Sequence, residues 1–144
     1  MTAFGDFDKI STGDSASVTR KISVDDIRKF VEMTGDDNPL HVDKKFAAST
    51  PYKDIVVHGM LGASFISTVI GTRLPGHGSI YMSQSLRFRA PVRIGDKVLT
   101  AVQVTAVDER RNRVMLACSC RVEDQVVLDG DAMVMVPSRG PEVP

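Results

Sequence analysis

The spacing of apolar residues changes character about halfway along the chain. Over residues 24–33 apolar side chains recur at intervals of three or four, which predicts an amphipathic helix of about three turns. From residue 80 onward apolar and polar residues alternate, as they do in strands that are buried on one face. Residues 14–22 predict one further strand near the start of the chain. Short polar turns separate three long alternating runs, at residues 97–107, 114–122 and 126–136. These runs predict an antiparallel meander.

A segment without Asp, Glu, Lys or Arg extends from residue 55 to residue 72. Within it, residues 59–71 predict a helix that is apolar or small on every side, which indicates burial all round its circumference. Glycine, serine and threonine interrupt the segment and no aromatic belt flanks it, so a buried helix is favoured over a membrane span. A strongly curved antiparallel sheet wrapped around a central buried helix would supply this cover, which is the shape of the hot-dog fold. The pattern therefore predicts a single α+β domain over residues 1–137, followed by a disordered tail at 138–144.

Composition excludes several classes of protein. The 144 residues are 42% hydrophobic, and 18 basic residues balance 18 acidic ones, so the formal net charge is zero. A neutral balance argues against a nucleic-acid partner, because such binding depends on a basic surface. Cys118 and Cys120 would share one face of a strand, where they are poorly placed to bond to each other and have too few neighbouring ligands for a metal site. With no secretory signal expected in the first ten residues, these features predict a cytoplasmic protein without a membrane partner.

A carboxylate and an imidazole lie five residues apart across a proline turn, at Asp36 and His41. Between them Asn38 and Pro39 favour a turn, which can bring the two side chains to face one another. A carboxylate and a neutral imidazole that share one water molecule can orient it and take its proton. The same turn chemistry also fits a loop with an Asx turn and a helix cap, and the residues alone leave that alternative open.

His58 and Gly59 stand where the uncharged helix is predicted to begin. The first N–H groups of a helix lack partners and the helix dipole is positive there, so this position can stabilise negative charge on a thioester oxygen. A glycine also lets a substrate approach the backbone closely. A core histidine beside a packing glycine is the alternative.

Several segments together resemble the MaoC-like (R)-specific enoyl-CoA hydratases, which have the hot-dog fold. The most specific is Gly-Asp-x-Asn-Pro-Leu-His at residues 35–41, and the resemblance covers about residues 14–137. The other matching segments are 47–48, 55–61, 74–81, 84–88, 91–92 and 95–96. The resemblance implies a hydro-lyase of fatty-acid metabolism, which adds water to trans-2-enoyl-CoA to give (R)-3-hydroxyacyl-CoA or catalyses the reverse reaction. It implies no metal and no bound cofactor, since coenzyme A is part of the substrate.

The resemblance also gives roles to individual residues. Asp36 and His41 match the catalytic pair that activates the attacking water. Gly59 matches the glycine whose backbone N–H helps to form the oxyanion hole. Asn38 and His58 are expected to support these groups.

Two further sets of residues are expected to contact the substrate. The acyl pocket is predicted to contain Ser67, Ile70 and Met133, and the size of the last two favours short to medium acyl chains, with plain core packing as the alternative. Three arginines near the end of one strand could bind the phosphates of coenzyme A, or could form only a solvated strand face. These arginines are Arg87, Arg89 and Arg93.

Hot-dog domains pair their sheets edge to edge, so the resemblance also implies a homodimer, in which an otherwise open sheet edge is covered. Three alternative functions share the fold. They are a hot-dog acyl-CoA thioesterase, a MaoC-like dehydratase acting on another enoyl or acyl-carrier-protein thioester, and a binding module without catalytic activity. The fold alone does not decide among them.

Overall fold

The helices lie in the first half of the structure, a computed structural model that describes residues 7–137. They are a 3₁₀ turn (Phe7–Lys9), α1 (Val24–Thr34), α2 (Pro39–Val42), α3 (Lys44–Ala48) and α4 (Gly59–Thr72). The strands are β1 (Ser15–Lys21), β2 (Ile80–Gln84), β3 (Arg87–Phe88), β4 (Lys97–Asp108), β5 (Arg113–Val122) and β6 (Gln125–Met135). The predicted tail at 138–144 lies outside the described residues.

All strand pairs are antiparallel, and they form one sheet in the order β1-β4-β5-β6-β2, with β3 also paired to β6. Strands β4, β5 and β6 form the predicted meander, in which Val102 lies opposite Cys118 and Leu116 lies opposite Ala132. Register shifts interrupt three of the pairings, and irregularities of this kind bend and twist a sheet. The predicted α+β architecture with a curved antiparallel sheet is confirmed.

The core lies between α4 and the side of the sheet that faces it. Ile66 and Val69 of α4 have no exposed surface, and neither do Val114 and Leu116 of β5. Burial of each such side chain contributes about 1.5–3 kcal/mol, so this layer is the main source of stability. The alternation along β4 and β5 follows directly, because every second side chain enters the layer.

The expectation that α4 is buried all round its circumference is wrong for one of its faces. Met60 is 58% exposed, and Ser64, Ser67 and Thr68 are also exposed. These residues follow one another at helical spacing and so form a continuous stripe along the helix. A single copy of the chain therefore leaves one side of its central helix open. No helix in the described part of the chain is long and apolar enough to cross a membrane.

Capping interactions fix where α1 begins and ends. The Ser23 side chain accepts a hydrogen bond from the Asp26 N–H at 3.1 Å, and the Asp26 carboxylate accepts one from the Ser23 N–H at 2.9 Å. At the other end Gly35 has a φ of 77°, in the left-handed region that favours glycine, and its N–H donates to the Val31 carbonyl at 2.8 Å. This turn directs the chain away from the helix axis immediately before Asp36.

Candidate active site

The loop after α1 holds Asp36 by local hydrogen bonds. The Asp36 N–H donates to the Thr34 hydroxyl at 3.2 Å, and its carboxylate accepts a hydrogen bond from the Asn38 N–H at 3.3 Å. The Asn38 side chain in turn accepts from the Leu40 N–H at 3.1 Å and so caps α2, whose first residue is Pro39. The segment predicted as a turn thus contains a one-turn helix, and Asn38 acts on the backbone of that helix.

Helix α2 returns His41 toward Asp36. The ring Nδ1 of His41 lies 2.5 Å from the main-chain oxygen of Val56. Because a carbonyl oxygen can only accept, Nδ1 carries the hydrogen and Nε2 keeps a free lone pair. His41 is therefore held in the tautomer that a general base requires. No sequence pattern could indicate Val56 in this role, since the contact uses its backbone.

His58 lies at the N-terminus of α4 and contacts both Asp36 and His41. It is 2% exposed, and its Nε2 lies 2.9 Å from the main-chain oxygen of Asp36. Its ring centroid is 3.9 Å from that of His41, with 32° between the planes, and 4.8 Å from that of Phe30. The Nδ1 of His58 is buried and has no hydrogen-bond partner among the described residues.

A single water molecule can bridge the side chains that the sequence predicted to be catalytic. A carboxylate oxygen of Asp36 and one ring nitrogen each of His41 and His58 all lie within 4.8 Å of one another. Two hydrogen bonds of about 2.8 Å that meet at a tetrahedral water span about 4.6 Å. The same donor set, a carboxylate and two imidazoles, is of a kind that could also hold a metal ion. The geometry satisfies what general acid–base chemistry on water requires.

A cavity of about 510 Å³ opens beside this cluster, and His41, His58 and Gly59 are among its lining residues. Buried residues from the sheet also line it, namely Val98, Cys120, Val127 and Leu128, together with Ile22, which follows β1. Alternation along the chain predicted an inward position for Cys120, but nothing in the sequence indicated that these residues enclose a cavity. The cavity can exclude water from a bound apolar group while leaving its head beside the histidines.

Gly59 meets the ring of Phe88 at the edge of the cavity. A Cβ built on Gly59 would lie 2.6 Å from the Phe88 ring, closer than van der Waals contact allows. Gly59 is also the first residue of α4, where N–H groups lack acceptors within the helix. Both the close approach of Phe88 and access to this N–H therefore depend on the absence of a side chain.

The three residues predicted to form the acyl pocket are not brought together beside the cluster. Ile70 is 1% exposed in the core, whereas Ser67 lies on the open stripe of α4. Met133 lies opposite Met115 on the face of β6 that points away from the core, because the core-facing positions are Ala132 and its alternate neighbours. None of the three predicted residues lines the 510 Å³ cavity.

The three arginines predicted to contact coenzyme A differ in their surroundings. Arg93 is occupied within the fold, where its guanidinium donates to the main-chain oxygens of Tyr52, Asp54 and Ile55 at 2.8, 3.1 and 3.3 Å. These donors hold a loop that comes from a distant part of the sequence, which gives Arg93 a role within the fold, and its contact with coenzyme A stays a prediction. Arg89 donates to the Asp129 carboxylate at 2.7 Å.

Arg87 is exposed, and it lines a second cavity of about 450 Å³ together with Arg89. For these two arginines, contact with coenzyme A stays a prediction.

Both cysteines are free and buried. Burial raises the pKa of the Cys118 thiol to about 11, and burial also raises the pKa of the Cys120 thiol. Neither thiol is therefore a thiolate nucleophile near neutral pH, although Cys120 lines the cavity. The reactive groups of the site are the carboxylate and the imidazoles.

Comparison with known proteins gives a consistent picture. The profile of the family described as MaoC like domain matches residues 8–125. A 3-hydroxybutyryl-CoA dehydratase of Methylorubrum extorquens is 48% identical over 133 residues, which cover 92% of this chain and 85% of the relative. An (R)-specific enoyl-CoA hydratase of Rhodospirillum rubrum is 48% identical over 134 residues, covering 93% of each chain. The solved structure of an (R)-hydratase from A. caviae involved in PHA biosynthesis superposes with a TM-score of 0.86 at 37% identity, covering 90% of this chain and 98% of that one.

Proposed function

This chain belongs to the MaoC-like domain family, and from that premise we propose that it catalyses the reversible addition of water to a trans-2-enoyl-CoA to give an (R)-3-hydroxyacyl-CoA. One observation carries the proposal. A carboxylate oxygen of Asp36 and a ring nitrogen of His41 lie within the span of one bridging water, beside an apolar cavity whose lining includes Gly59, the first residue of α4. The names of the relatives at 48% identity support the same reaction.

The reaction follows from the positions of these groups. Asp36 and His41 hold a water molecule, and Nε2 of His41 takes one of its protons as the oxygen bonds to the β-carbon of the enoyl thioester. The electron pair of the double bond moves toward the thioester oxygen, where negative charge develops. The N–H of Gly59 at the first turn of α4 stabilises that charge. The pair then returns a proton to the α-carbon, so that one water is added in total.

We propose that the working unit is a homodimer. Strand β2 is an edge of the sheet, and its Ile80, Tyr81 and Met82 are 44%, 39% and 44% exposed. The open stripe of α4 leaves Met60 exposed as well. A second copy that extends the sheet at β2 would cover these surfaces and the unpaired edge together. Light scattering at micromolar concentration measures the oligomeric state directly.

We propose that the reaction needs no redox cofactor, because adding water to a polarised double bond transfers protons and no net electrons, and no metal, because Asp36 and His41 can themselves take the proton from water. We propose a cytoplasmic location because both cysteines are free thiols. The substrate class would place the enzyme in fatty-acid metabolism.

A direct assay tests the proposed function. The purified protein is mixed with crotonyl-CoA, loss of the absorbance of the conjugated thioester is followed, and the configuration of the product is determined by chiral chromatography. We expect (R)-3-hydroxybutyryl-CoA. The variants Asp36→Asn and His41→Ala should each lower kcat by about 10²–10⁴-fold, the usual contribution of a general acid or base.

Asp37→Asn is a matched control, since Asp37 is exposed and adjacent to Asp36. It should leave kcat within about twofold of the wild type. Full activity of Asp36→Asn or His41→Ala would contradict the assignment of that residue. Release of free coenzyme A without hydration would favour a thioesterase. Hydration of the acyl-carrier-protein thioester but not the coenzyme A thioester would favour that alternative carrier.

A further inference from the structure

We propose that His58 is a positioning residue that holds Asp36 and His41 in register, with the hydrogen on its Nε2. This inference rests on the proposed function, because it concerns the same catalytic pair. His58 touches neither reacting atom in the proposed reaction. Its effect comes through two contacts, one with each catalytic residue.

The first contact fixes the backbone that carries the acid. His58 Nε2 lies 2.9 Å from the main-chain oxygen of Asp36, which is 22 residues earlier in the chain. Since that oxygen can only accept, Nε2 must be the protonated nitrogen. The ring is 2% exposed and stands at the start of α4, so the donor cannot turn away from the loop. The hydrogen bond thus ties the exit of α1 to the start of α4.

The second contact fixes the plane of the base. The ring of His58 contacts two other rings, that of His41 at 3.9 Å between centroids and that of Phe30 at 4.8 Å. His41 is therefore held on one face by the ring of His58 and at its edge by the Val56 carbonyl.

The unpartnered nitrogen of His58 indicates that packing alone does not account for an imidazole at this position. Nδ1 is buried without a hydrogen-bond partner among residues 7–137, and burying a polar atom without a partner costs free energy. An apolar ring here would avoid that cost altogether. Of the contacts that the described residues make, the hydrogen bond to Asp36 is the one that requires an imidazole.

Three substitutions at one position separate the two contacts. His58→Phe keeps a ring against His41 but has no donor, His58→Gln keeps an N–H donor but has no ring, and His58→Ala has neither. Misplacement of a catalytic group by about 1 Å can lower the rate about 100-fold. We expect His58→Ala to lower kcat for crotonyl-CoA about 100-fold, and the Phe and Gln variants each to recover about tenfold of that loss. KM should stay within about twofold in all three, because the two contacts act on the catalytic pair and not on the substrate.

His77 provides the matched control, since it is the third histidine of the chain and is exposed in a loop. His77→Gln should leave kcat within about twofold of the wild type. A His58→Ala enzyme that is folded by circular dichroism and has wild-type kcat would overturn the proposal. So would a rise in KM at unchanged kcat, which would make His58 a substrate-binding residue. Failure of both the Phe and the Gln variant to exceed the Ala variant would also overturn it.

A spectroscopic measurement tests the protonation state without reference to turnover. Long-range ¹⁵N–¹H correlation spectra of ¹⁵N-histidine protein at neutral pH distinguish the two tautomers, and the His77→Gln and His58→Gln variants assign the signals. We expect hydrogen on Nε2 of His58 and on Nδ1 of His41. Hydrogen on Nδ1 of His58 would refute the proposal even if every variant failed to fold. A wild-type protein that shows the expected tautomers but does not hydrate crotonyl-CoA would contradict the proposed function and leave the hydrogen-bond arrangement standing.

Discussion

Replacing Arg93 by methionine removes the hydrogen bonds that hold residues 52–55 while keeping an unbranched side chain of similar length. A hydrogen bond to a charged group contributes about 1.5–3 kcal/mol when buried, so three such bonds would contribute about 4.5–9 kcal/mol. Tyr52 and Asp54 are exposed, however, so water can replace the donor at two of the three carbonyls. We therefore expect Arg93→Met to lower the free energy of unfolding by about 2–3 kcal/mol. For a chain of this size that corresponds to a fall in Tm of roughly 6–12 °C, measured by calorimetry.

The same substitution should also lower the catalytic rate. The loop that Arg93 holds leads directly into Val56, whose carbonyl fixes the tautomer of His41, so we expect kcat to fall about tenfold. The assay compares crotonyl-CoA with crotonyl-pantetheine, which lacks the nucleotide and its phosphates. Because Arg93 acts on the loop, the ratio of variant to wild-type kcat should be equal for the two substrates.

Arg87→Met is the matched control for stability, because Arg87 is an exposed arginine of the short strand β3. Its Tm should equal that of the wild type. An unchanged Tm in Arg93→Met would refute this reasoning. A defect seen with crotonyl-CoA and absent with crotonyl-pantetheine would refute it too and would favour the predicted phosphate-binding role.

Three other predictions concern stability and reactivity. Gly130→Ala should lower the free energy of unfolding by about 3 kcal/mol in urea titration, because a Cβ at Gly130 would lie 1.8 Å from the backbone oxygen of Ser85. An unfolding midpoint equal to that of the wild type would show that the two backbone segments can move apart at this contact. Asp26→Asn should lower stability by about 1 kcal/mol at pH 7 and much less at pH 3. A hydrogen bond from the N-cap amide lowers the pKa of Asp26 below its ordinary value of 3.8, so its contribution is present above that value and is lost as the pH falls through the lowered one; equal losses at both pH values would contradict this. Finally, Cys118 and Cys120 should react with iodoacetamide at pH 8 only as fast as the protein unfolds, because burial raises the pKa of both thiols; rapid labelling of folded protein, followed by mass spectrometry, would contradict this.

Periodicity predicted the elements that pack against one another over several turns or residue pairs. The helix at Val24–Thr34 and the meander of β4, β5 and β6 agree with the predicted segments to within one or two residues at most ends. The sequence predicts only a turn where the one-turn helix Pro39–Val42 begins, because a single turn is too short to show a helical period. Its Asn38 cap and the following proline are the same residues that favour a turn, so local chemistry did not separate the two structures.

The surroundings of Met133 and Arg93 could not be predicted, for different physical reasons. On β6 apolar residues occupy both faces near the end of the strand, so alternation shows which residues share a face but not which face enters the core. The sequence alone therefore does not show on which side of the sheet Met133 lies. Arg93 donates to carbonyls about 40 positions earlier in the sequence, and carbonyl acceptors look the same at every residue. The pair Asp36 and His41 was predictable because both lie in one short segment with its own turn chemistry.

Val56 and Gly59 are three positions apart on the same stretch of backbone. One supplies the oxygen that anchors the proton acceptor, and the other supplies the amide proposed to face the anionic intermediate. A shift of this short peptide would therefore move the anchor of the proton acceptor and the oxyanion donor in the same direction, with little change in the distance between them. Because the two groups move together, the surrounding residues can be substituted without separating them, so long as this peptide remains rigid.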